Sequence, residues 1–217
     1  MSSTIAQKLI ALFFLTAVLV IPNELISDRF VQAQGAATAV VGQAAPAFTL
    51  KDTKGKTWNS KDLKGKIVVL EWFNHGCPFV KKHYESNNMQ KLQKKYTGKG
   101  VAWLCVCSSA PGKQGSASAA DHEKAFKDKG AAPSAVLLDE NGKVGQAYGA
   151  KTTPHMFIID KKGVLAYAGA IDDKPGVDKA EVAQAKNYVG TALDELLAGK
   201  PVTTAVTKSY GCSVKYQ

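Results

Sequence analysis

The stretch "IVVLEWFNHGCPFVKKHY", residues 67–84, decides the fold of this chain. Its short apolar and β-branched beginning, residues 67–73, predicts a buried central strand. Cys77 follows the end of that strand, and Pro78 suits the first turn of a helix, where a missing N–H is no loss. We predict a helix from Pro78 to about Tyr96. The junction therefore places a cysteine at the carboxyl end of a central strand, where open α/β sheets tend to place their sites.

The segments on either side complete an alternating pattern of strands and helices. Residues 48–66 contain two extended pieces around a Lys-Gly turn and predict a β-hairpin. Further strands are predicted at 101–109, 134–139, 152–160 and 164–170, the last two joined by a Lys-Lys-Gly turn. Helices are predicted at 119–130 and 178–199, the second from apolar residues at helical spacing. This order indicates an α/β layered domain with a mixed sheet.

The first residues read as a targeting segment. An apolar run from Leu9 to Ile21 follows Lys8 and has the length expected of a secretory signal. Cleavage would follow Ala33 or Ala39, and an uncleaved membrane anchor is the alternative. We therefore predict a signal segment at 1–33, a linker at 34–46, a domain at 47–199 and a tail carrying Cys212 at 200–217. The folded part is expected outside the cytoplasm, in a periplasmic or extracellular location.

The charge of the chain argues against a nucleic-acid partner. The net charge is +10, but the lysines are spread along the chain and no basic run alternates with aromatic residues. A membrane contact is expected only if the first segment stays uncleaved. Arg29 is the single arginine of the sequence and precedes the expected cleavage site, so the processed protein would contain none.

Four cysteines, Cys77, Cys105, Cys107 and Cys212, are too few to build a disulfide scaffold in a chain of 217 residues. Cys77 stands at a predicted helix N-terminus, which stabilises a thiolate, with Lys81 and Lys82 one turn along. Such a thiolate can attack a peroxide, attack a disulfide, or bind a metal. Cys105 and Cys107 share one face of a predicted strand and are interpreted as core residues.

The fuller string "EWFNHGCPFVKKHY … YGAKTTPHMFIID … GCSVKY" resembles exported redoxins of the alkyl hydroperoxide reductase/thiol-specific antioxidant-like group, which is peroxiredoxin-like. The resemblance runs from about Val41 to the C-terminus. It implies a thioredoxin-like α/β fold, with a central mixed β-sheet flanked by helices and an N-terminal β-hairpin extension. It also implies that Pro154 is cis and that Thr153 and Pro154 flank Cys77.

Three departures from the resemblance bear on the chemistry. Val80 stands where a thioredoxin-type Cys-x-x-Cys pair keeps its second cysteine. Asn74 and Leu70 occupy the positions of the peroxiredoxin Thr/Ser and Pro. The processed chain would also lack the peroxiredoxin arginine, whose planar fork a lysine does not reproduce.

A second sulfur for Cys77 is therefore sought elsewhere in the chain. Some peroxiredoxins carry a resolving cysteine in a C-terminal tail, so the resemblance suggests Cys212 for this role, in the same or a neighbouring chain. A structural disulfide or a free thiol at Cys212 are the alternatives.

Other side chains are candidates for supporting roles. On the implied fold, His75 and His155 would lie near the thiol, as a base or as thiolate partners. His122 is expected to be solvated. Glu71 is expected either to face solvent at a strand edge or to relay protons.

The predicted function is that of a thiol-dependent oxidoreductase acting through Cys77, with a peroxide or a protein disulfide as substrate and a thiol reductant for recycling. The site prediction comprises Cys77, Cys212, Pro154, Thr153, His75 and Asn74, with no cofactor and no metal. It would be an atypical enzyme, because it lacks the Cys-x-x-Cys pair and the peroxiredoxin threonine and arginine. The alternatives are an exported copper carrier using Cys77 and nearby histidines, and a redox-inactive interaction protein of the same fold.

Overall fold

The computed structural model describes residues 38–217. The predicted signal segment at 1–33 and the first residues of the linker lie outside the described residues. Between residues 38 and 217, none of the helices is both long and apolar enough to cross a bilayer.

The centre of the fold is a seven-stranded mixed sheet in the order β2-β1-β5-β4-β3-β7-β8. Its central pairs, β3 with β4 and β4 with β5, are parallel, and the remaining pairs are antiparallel. A separate two-stranded ladder joins β6 to β9. The strands are β1 (Thr49–Asp52), β2 (Thr57–Asn59), β3 (Val68–Trp72), β4 (Ala102–Cys107), β5 (Ala135–Leu138), β6 (Thr152–Thr153), β7 (His155–Ile159), β8 (Leu165–Gly169) and β9 (Cys212–Ser213). The predicted mixed-sheet architecture is confirmed.

The N-terminal hairpin, β1 and β2, forms as predicted around a turn at Gly55. The side chain of Asp52 accepts hydrogen bonds from the backbone N–H groups of Lys54 and Lys56, which holds this turn. Because β1 also pairs with β5, the hairpin extends the central sheet by two strands.

The helices are α1 (Pro78–Glu85), α2 (Asn88–Thr97), α3 (Ala119–Asp128), α4 (Lys143–Tyr148) and α5 (Tyr188–Leu197). The single helix predicted from Pro78 to Tyr96 is wrong, because it is interrupted between α1 and α2. Asn87 adopts the left-handed conformation there, with φ of 58°. Serine and asparagine side chains compete for backbone hydrogen bonds, and asparagine tolerates this conformation better than most residues.

The last helix is shorter than predicted, and one helix was not predicted. Residues 179–184 form a separate 3₁₀ turn, and α5 begins only after Asn187, whose side chain accepts a hydrogen bond from Gly190 N–H. The short helix α4, which was not predicted, begins after Gly142, a left-handed residue.

Two apolar clusters fill the two faces of the sheet. Because β3 and β4 are buried on both faces, successive residues alternate between the clusters. Cys105 and Cys107 lie in the cluster that also contains residues of α1, α2, α3 and α5. Both are buried, in agreement with their interpretation as core residues.

Both ends of the described chain pack on the domain, which differs from the expectation of a linker and an outlying tail. Ala44 bridges to Val164, and Ala45 N–H donates to Gly163 O at 2.9 Å. In the tail, Val206 bridges to Ala168 beside β8, and β9 pairs with β6. These contacts join residues far apart in sequence, so local patterns do not reveal them.

Candidate active site

Cys77 lies in the turn that follows β3 and is the N-cap residue of α1. The preceding turn is held by Asn74, whose carbonyl accepts from Cys77 N–H at 3.0 Å and whose Oδ1 accepts from Gly76 N–H at 2.8 Å. Asn74 Nδ2 donates to Gln114 O at 3.0 Å. Asn74 was predicted as a site residue at the position of a peroxiredoxin threonine. The structure instead commits its side chain to the turn that positions Cys77.

The segment before β7 supplies the first neighbours of the thiol. Cys77 Sγ donates to the carbonyl oxygen of Thr153 at 3.0 Å. The Thr153–Pro154 peptide bond is cis, as the resemblance implied, and both residues are buried. Cys77, Thr153 and Pro154 are therefore brought together.

The C-terminal tail supplies the second thiol. In the β6–β9 ladder, Cys212 is the register partner of Thr153, and its thiol lies close enough to that of Cys77 to interact with it. Both cysteines are free thiols. Gly211 makes this approach possible, because its φ is +130° and a Cβ there would overlap the carbonyl of Thr153. Sequence reasoning missed Gly211, although a glycine beside a tail cysteine was a visible signal.

The two thiols have pKa values shifted in opposite directions. Burial by itself raises the pKa of Cys77, but hydrogen bonds from Cys212 and Thr153 outweigh it and lower the pKa below its ordinary value. A backbone hydrogen bond from Val80, in the first turn of α1, acts in the same direction. Burial and the adjacent Cys77 raise the pKa of Cys212 to about 11, while Lys215 opposes that shift.

The sequence suggested that the positive charge of Lys82 stabilises the Cys77 thiolate, but the structure uses this side chain elsewhere. Its side chain is buried, and its ammonium group donates to the carbonyl oxygens of Lys174 and Gly176. Lys82 therefore attaches α1 to the loop after β8.

Within residues 38–217, no histidine is a hydrogen-bond partner of Cys77. His75 packs against Phe73, His122 and Phe126, and burial lowers its pKa to about 3. His155 stacks on the Phe157 ring. The predicted roles of His75 and His155 as bases at the thiol gain no geometric support, because aromatic packing holds both rings.

His155 and His122 both lie in buried environments. His155 accepts from Lys151 N–H and burial lowers its pKa to about 4, so it is neutral and occupied. His122, expected to be solvated, is 1% exposed. It lies near the start of α3, on the buried face of the helix, where its ring packs against Phe73 and His75.

Glu71 does not face solvent but is fully buried within the sheet. Its carboxylate accepts from Trp103 Nε1 at 2.7 Å and from the Tyr84 hydroxyl at 2.8 Å. The thiol of its register partner Cys105 donates to it at 3.3 Å, and Gln93 Nε2 contributes a further contact at 3.3 Å. Burial raises the pKa of Glu71, and burial beside this carboxylate raises the pKa of Cys105 well above its ordinary value.

Tyr210, which sequence reasoning also missed, fixes the approach of the tail. Its hydroxyl donates to Asp172 Oδ1 at 2.5 Å and lies 3.0 Å from His83 Nε2. Since His83 belongs to the helix that begins at Cys77, this network ties the tail to α1 two residues before Cys212. Two tyrosines on either side of the tail cysteine, Tyr210 and Tyr216, were a weak sign that the tail packs.

No group of three or more His, Cys, Asp or Glu side chains in the described part of the chain is arranged to hold a metal ion. The copper-carrier alternative required Cys77 to share a site with histidines. The positions of His75 and His155 give that arrangement no support.

Comparison with known proteins gives matches to thiol-disulfide oxidoreductases and to peroxiredoxins, among them peroxiredoxin Q of Populus jackii, 29% identical over 135 residues that cover 57% of each chain. Residues 41–168 match the AhpC/TSA family. The thioredoxin-like protein YneN of Bacillus subtilis is 31% identical over 124 residues, which cover 57% of this chain and 68% of YneN. Thiol-disulfide oxidoreductase ResA of Bacillus thuringiensis is 32% identical over 124 residues, covering 57% of this chain and 65% of ResA. The chain thus spans about two thirds of the length of YneN and of ResA.

A solved structure gives a broader match. The hypothetical protein SMc02350 from Sinorhizobium meliloti 1021 superposes with a TM-score of 0.70 at 27% identity, covering 83% of this chain and 96% of that protein. The similarity therefore extends beyond the family match, over most of the described residues.

Proposed function

We propose that this chain, which belongs to the AhpC/TSA family, is a thiol–disulfide oxidoreductase whose working pair is Cys77 and Cys212. The observation that supports the proposal is that both cysteines meet at Thr153: its carbonyl accepts from Cys77 Sγ, and it is the register partner of Cys212. Both are free thiols, with the pKa of Cys77 lowered and that of Cys212 raised. A nucleophile needs a thiolate at neutral pH, and its partner must stay protonated until it is needed. The lowered pKa of Cys77 favours the first requirement, and the raised pKa of Cys212 favours the second.

In the first step, the Cys77 thiolate attacks one sulfur of a substrate disulfide, RSSR′. A bond forms between Cys77 Sγ and the RS sulfur, and R′S⁻ leaves and takes up a proton. The enzyme then carries a mixed disulfide at Cys77. The proton that Cys77 released on ionisation balances the one taken up by the leaving thiolate.

In the second step, Cys212 resolves the mixed disulfide. Once Cys77 is bonded to the substrate, its charge no longer raises the pKa of Cys212, whereas Lys215 still favours the thiolate. Cys212 then attacks Cys77 Sγ and releases RS⁻. The products are two thiols and a Cys77–Cys212 disulfide, so the substrate is reduced by two electrons and the enzyme is oxidised by two.

Recycling requires an external thiol reductant, and the geometry favours attack at Cys212. Cys212 is partly exposed, whereas Cys77 is buried. The departing sulfur would be Cys77, which has the lower pKa and is the better leaving group. Two equivalents of reductant thiol restore the dithiol.

A disulfide is the better-supported substrate, and a peroxide is the competing one. Peroxide reduction benefits from donors that polarise the O–O bond, and residues 38–217 contain no arginine. Asn74 cannot substitute, because both ends of its amide are engaged in the turn. The rate of disulfide exchange depends mainly on the thiolate character of the attacking cysteine and on the pKa of the leaving thiol. The site contributes the first of these through the lowered pKa of Cys77.

We also propose that the protein acts outside the cytoplasm. The support is the apolar run Leu9–Ile21 after Lys8, which is typical of an export signal. Since cysteine pairs persist as disulfides in oxidising compartments, such a location suits a reversible Cys77–Cys212 pair.

The test is intact mass with peptide mapping after one equivalent of oxidised glutathione or of hydrogen peroxide. We expect oxidised glutathione to yield a Cys77–Cys212 disulfide, Cys212→Ser to accumulate glutathione on Cys77, and Cys77→Ser to remain reduced. Cys105→Ser is the matched control, because that thiol is buried and has a raised pKa. A Cys77 that stays a free thiol with both oxidants contradicts the proposal, and faster oxidation by peroxide assigns the chain to peroxide reduction.

A further inference from the structure

The strand β9 occupies the backbone edge that lies beside the reactive thiol. Cys212 and Ser213 pair with Thr153 and Thr152, and Val214 N–H donates to Lys151 O at 3.0 Å. This edge immediately precedes Pro154 and carries the carbonyl that contacts Cys77 Sγ. When a strand edge is unoccupied, extended peptides can bind a protein by adding a strand to it.

The tail is held in this place on both sides of β9. Before β9, Tyr210 is hydrogen-bonded to Asp172 and His83. After it, Ala110 N–H donates to Lys215 O at 2.8 Å, and the Tyr216 hydroxyl donates to Ala150 O at 2.8 Å. The tail is therefore a docked element of the domain.

The docked strand leaves no room for a second one. Cys77 is 0% exposed and Thr153 is 2% exposed. A polypeptide that sought the same backbone groups would have to displace the whole of β9. A small molecule needs only a local movement around Cys212, which is already partly exposed.

We propose that β9 acts as a built-in occupant of the peptide edge and restricts the substrate of Cys77 to low-molecular-weight disulfides, excluding extended polypeptides. The inference rests on the proposed function, because it takes Cys77 as the nucleophile. The chemistry is the exchange described above, with RSSR′ a small disulfide and two small thiols as the products.

The experiment uses the full chain carrying Cys212→Ser, in which the mixed disulfide at Cys77 accumulates. The rate at which this mixed disulfide forms is measured by mass spectrometry with two reagents, 2-hydroxyethyl disulfide and a disulfide-bonded extended peptide. Each rate is then divided by the rate at which free cysteine reacts with the same reagent. We expect the peptide to be disfavoured at Cys77 by about thirtyfold relative to the small disulfide, the factor that corresponds to two net backbone hydrogen bonds.

A second variant adds Gly211→Val, which prevents β9 from seating because a Cβ at this position overlaps Thr153. The ratio of the peptide rate to the small-disulfide rate should then rise by about thirtyfold, because any change in the pKa of Cys77 affects both reagents alike. The matched control is Ser213→Ala, an exposed position in the same strand, which should alter neither rate. Thermal unfolding confirms that each variant is folded.

The outcomes separate the two proposals. If Cys77 in the Cys212→Ser chain discriminates between the reagents no more than free cysteine does, the tail inference is overturned and the proposed function stands. A folded Gly211→Val chain that still excludes the peptide also overturns it, because the exclusion then has another cause. If Cys77 reacts with neither disulfide, the proposed function fails and the inference fails with it.

Discussion

Cys77 and Cys105 lie in the same apolar cluster and are equally buried, yet their pKa values are shifted in opposite directions. Cys77 stands after the end of β3, where the first turn of α1 offers free N–H groups. Cys105 stands within β4, where the backbone is paired on both sides and the nearest polar group is the Glu71 carboxylate. Burial alone would raise the pKa of both thiols, so the groups around each sulfur decide which pKa is lowered.

The two sites differ in the groups that face the sulfur: hydrogen-bond donors stabilise a thiolate at Cys77, whereas a carboxylate acceptor disfavours one at Cys105. The side chains of Cys212 and Thr153 stabilise the Cys77 thiolate, whereas the Glu71 carboxylate repels a thiolate at Cys105. The fold thus holds one thiol ready to ionise and keeps another protonated on a neighbouring strand. Substitutions near Cys105 or near Cys77 can test this difference.

The largest effect is expected from Glu71→Leu. This change leaves the indole N–H of Trp103 and the hydroxyl of Tyr84 buried without an acceptor. We expect the free energy of unfolding to fall by about 3 kcal/mol, because each unsatisfied buried donor costs roughly 1–3 kcal/mol. Urea denaturation followed by tryptophan fluorescence measures it.

Glu71→Gln is the matched control, since its amide oxygen still accepts hydrogen bonds. It also tests the pH dependence. The folded pKa of Glu71 is raised above its ordinary value of 4.5, so the folded state binds more protons and stability falls as pH rises from there through the folded pKa. Glu71→Gln should remove this slope, and an unchanged slope would mean that Glu71 does not titrate as described.

A smaller effect is expected from Cys212→Ala, which removes the thiol that donates to Cys77. The pKa of Cys77 should rise because a hydrogen bond to its thiolate is lost, and the midpoint of iodoacetamide alkylation against pH should move upward. Cys212→Ser keeps a donor and should move the midpoint less. If alanine and serine behave alike, Cys212 does not set the pKa of Cys77.

The reactive side of this contrast could be predicted from the sequence, because its signals are local. An apolar run, a short polar turn and then a cysteine followed by a proline define a strand end and a helix start, and Cys77 lies at that junction. The placement of Cys212 beside it depends on Gly211 fitting against Thr153, fifty-eight positions away in the chain, and no local pattern encodes that contact.

The inert side was predicted only in part. Alternation along β3 puts Glu71 on the same face as Val69 and Phe73, which was a readable sign of burial. Its partners, however, come from α1, α2 and β4, and a buried carboxylate is stable only once they converge. The break between α1 and α2 at Asn87 was missed because a local side-chain competition overrode a continuous helical pattern.

The smallest effect is expected from Cys105→Ser. The serine hydroxyl can donate to Glu71 in place of the thiol, so the loss of apolar burial is offset and the free energy of unfolding should change by less than about 1 kcal/mol. The alkylation midpoint of Cys77 should not move, because Cys105 is not among the groups that set its pKa. A shifted midpoint would show that the Glu71 cluster and the Cys77 site are coupled through the sheet. The two thiols would then be parts of one electrostatic system rather than neighbours with separate surroundings.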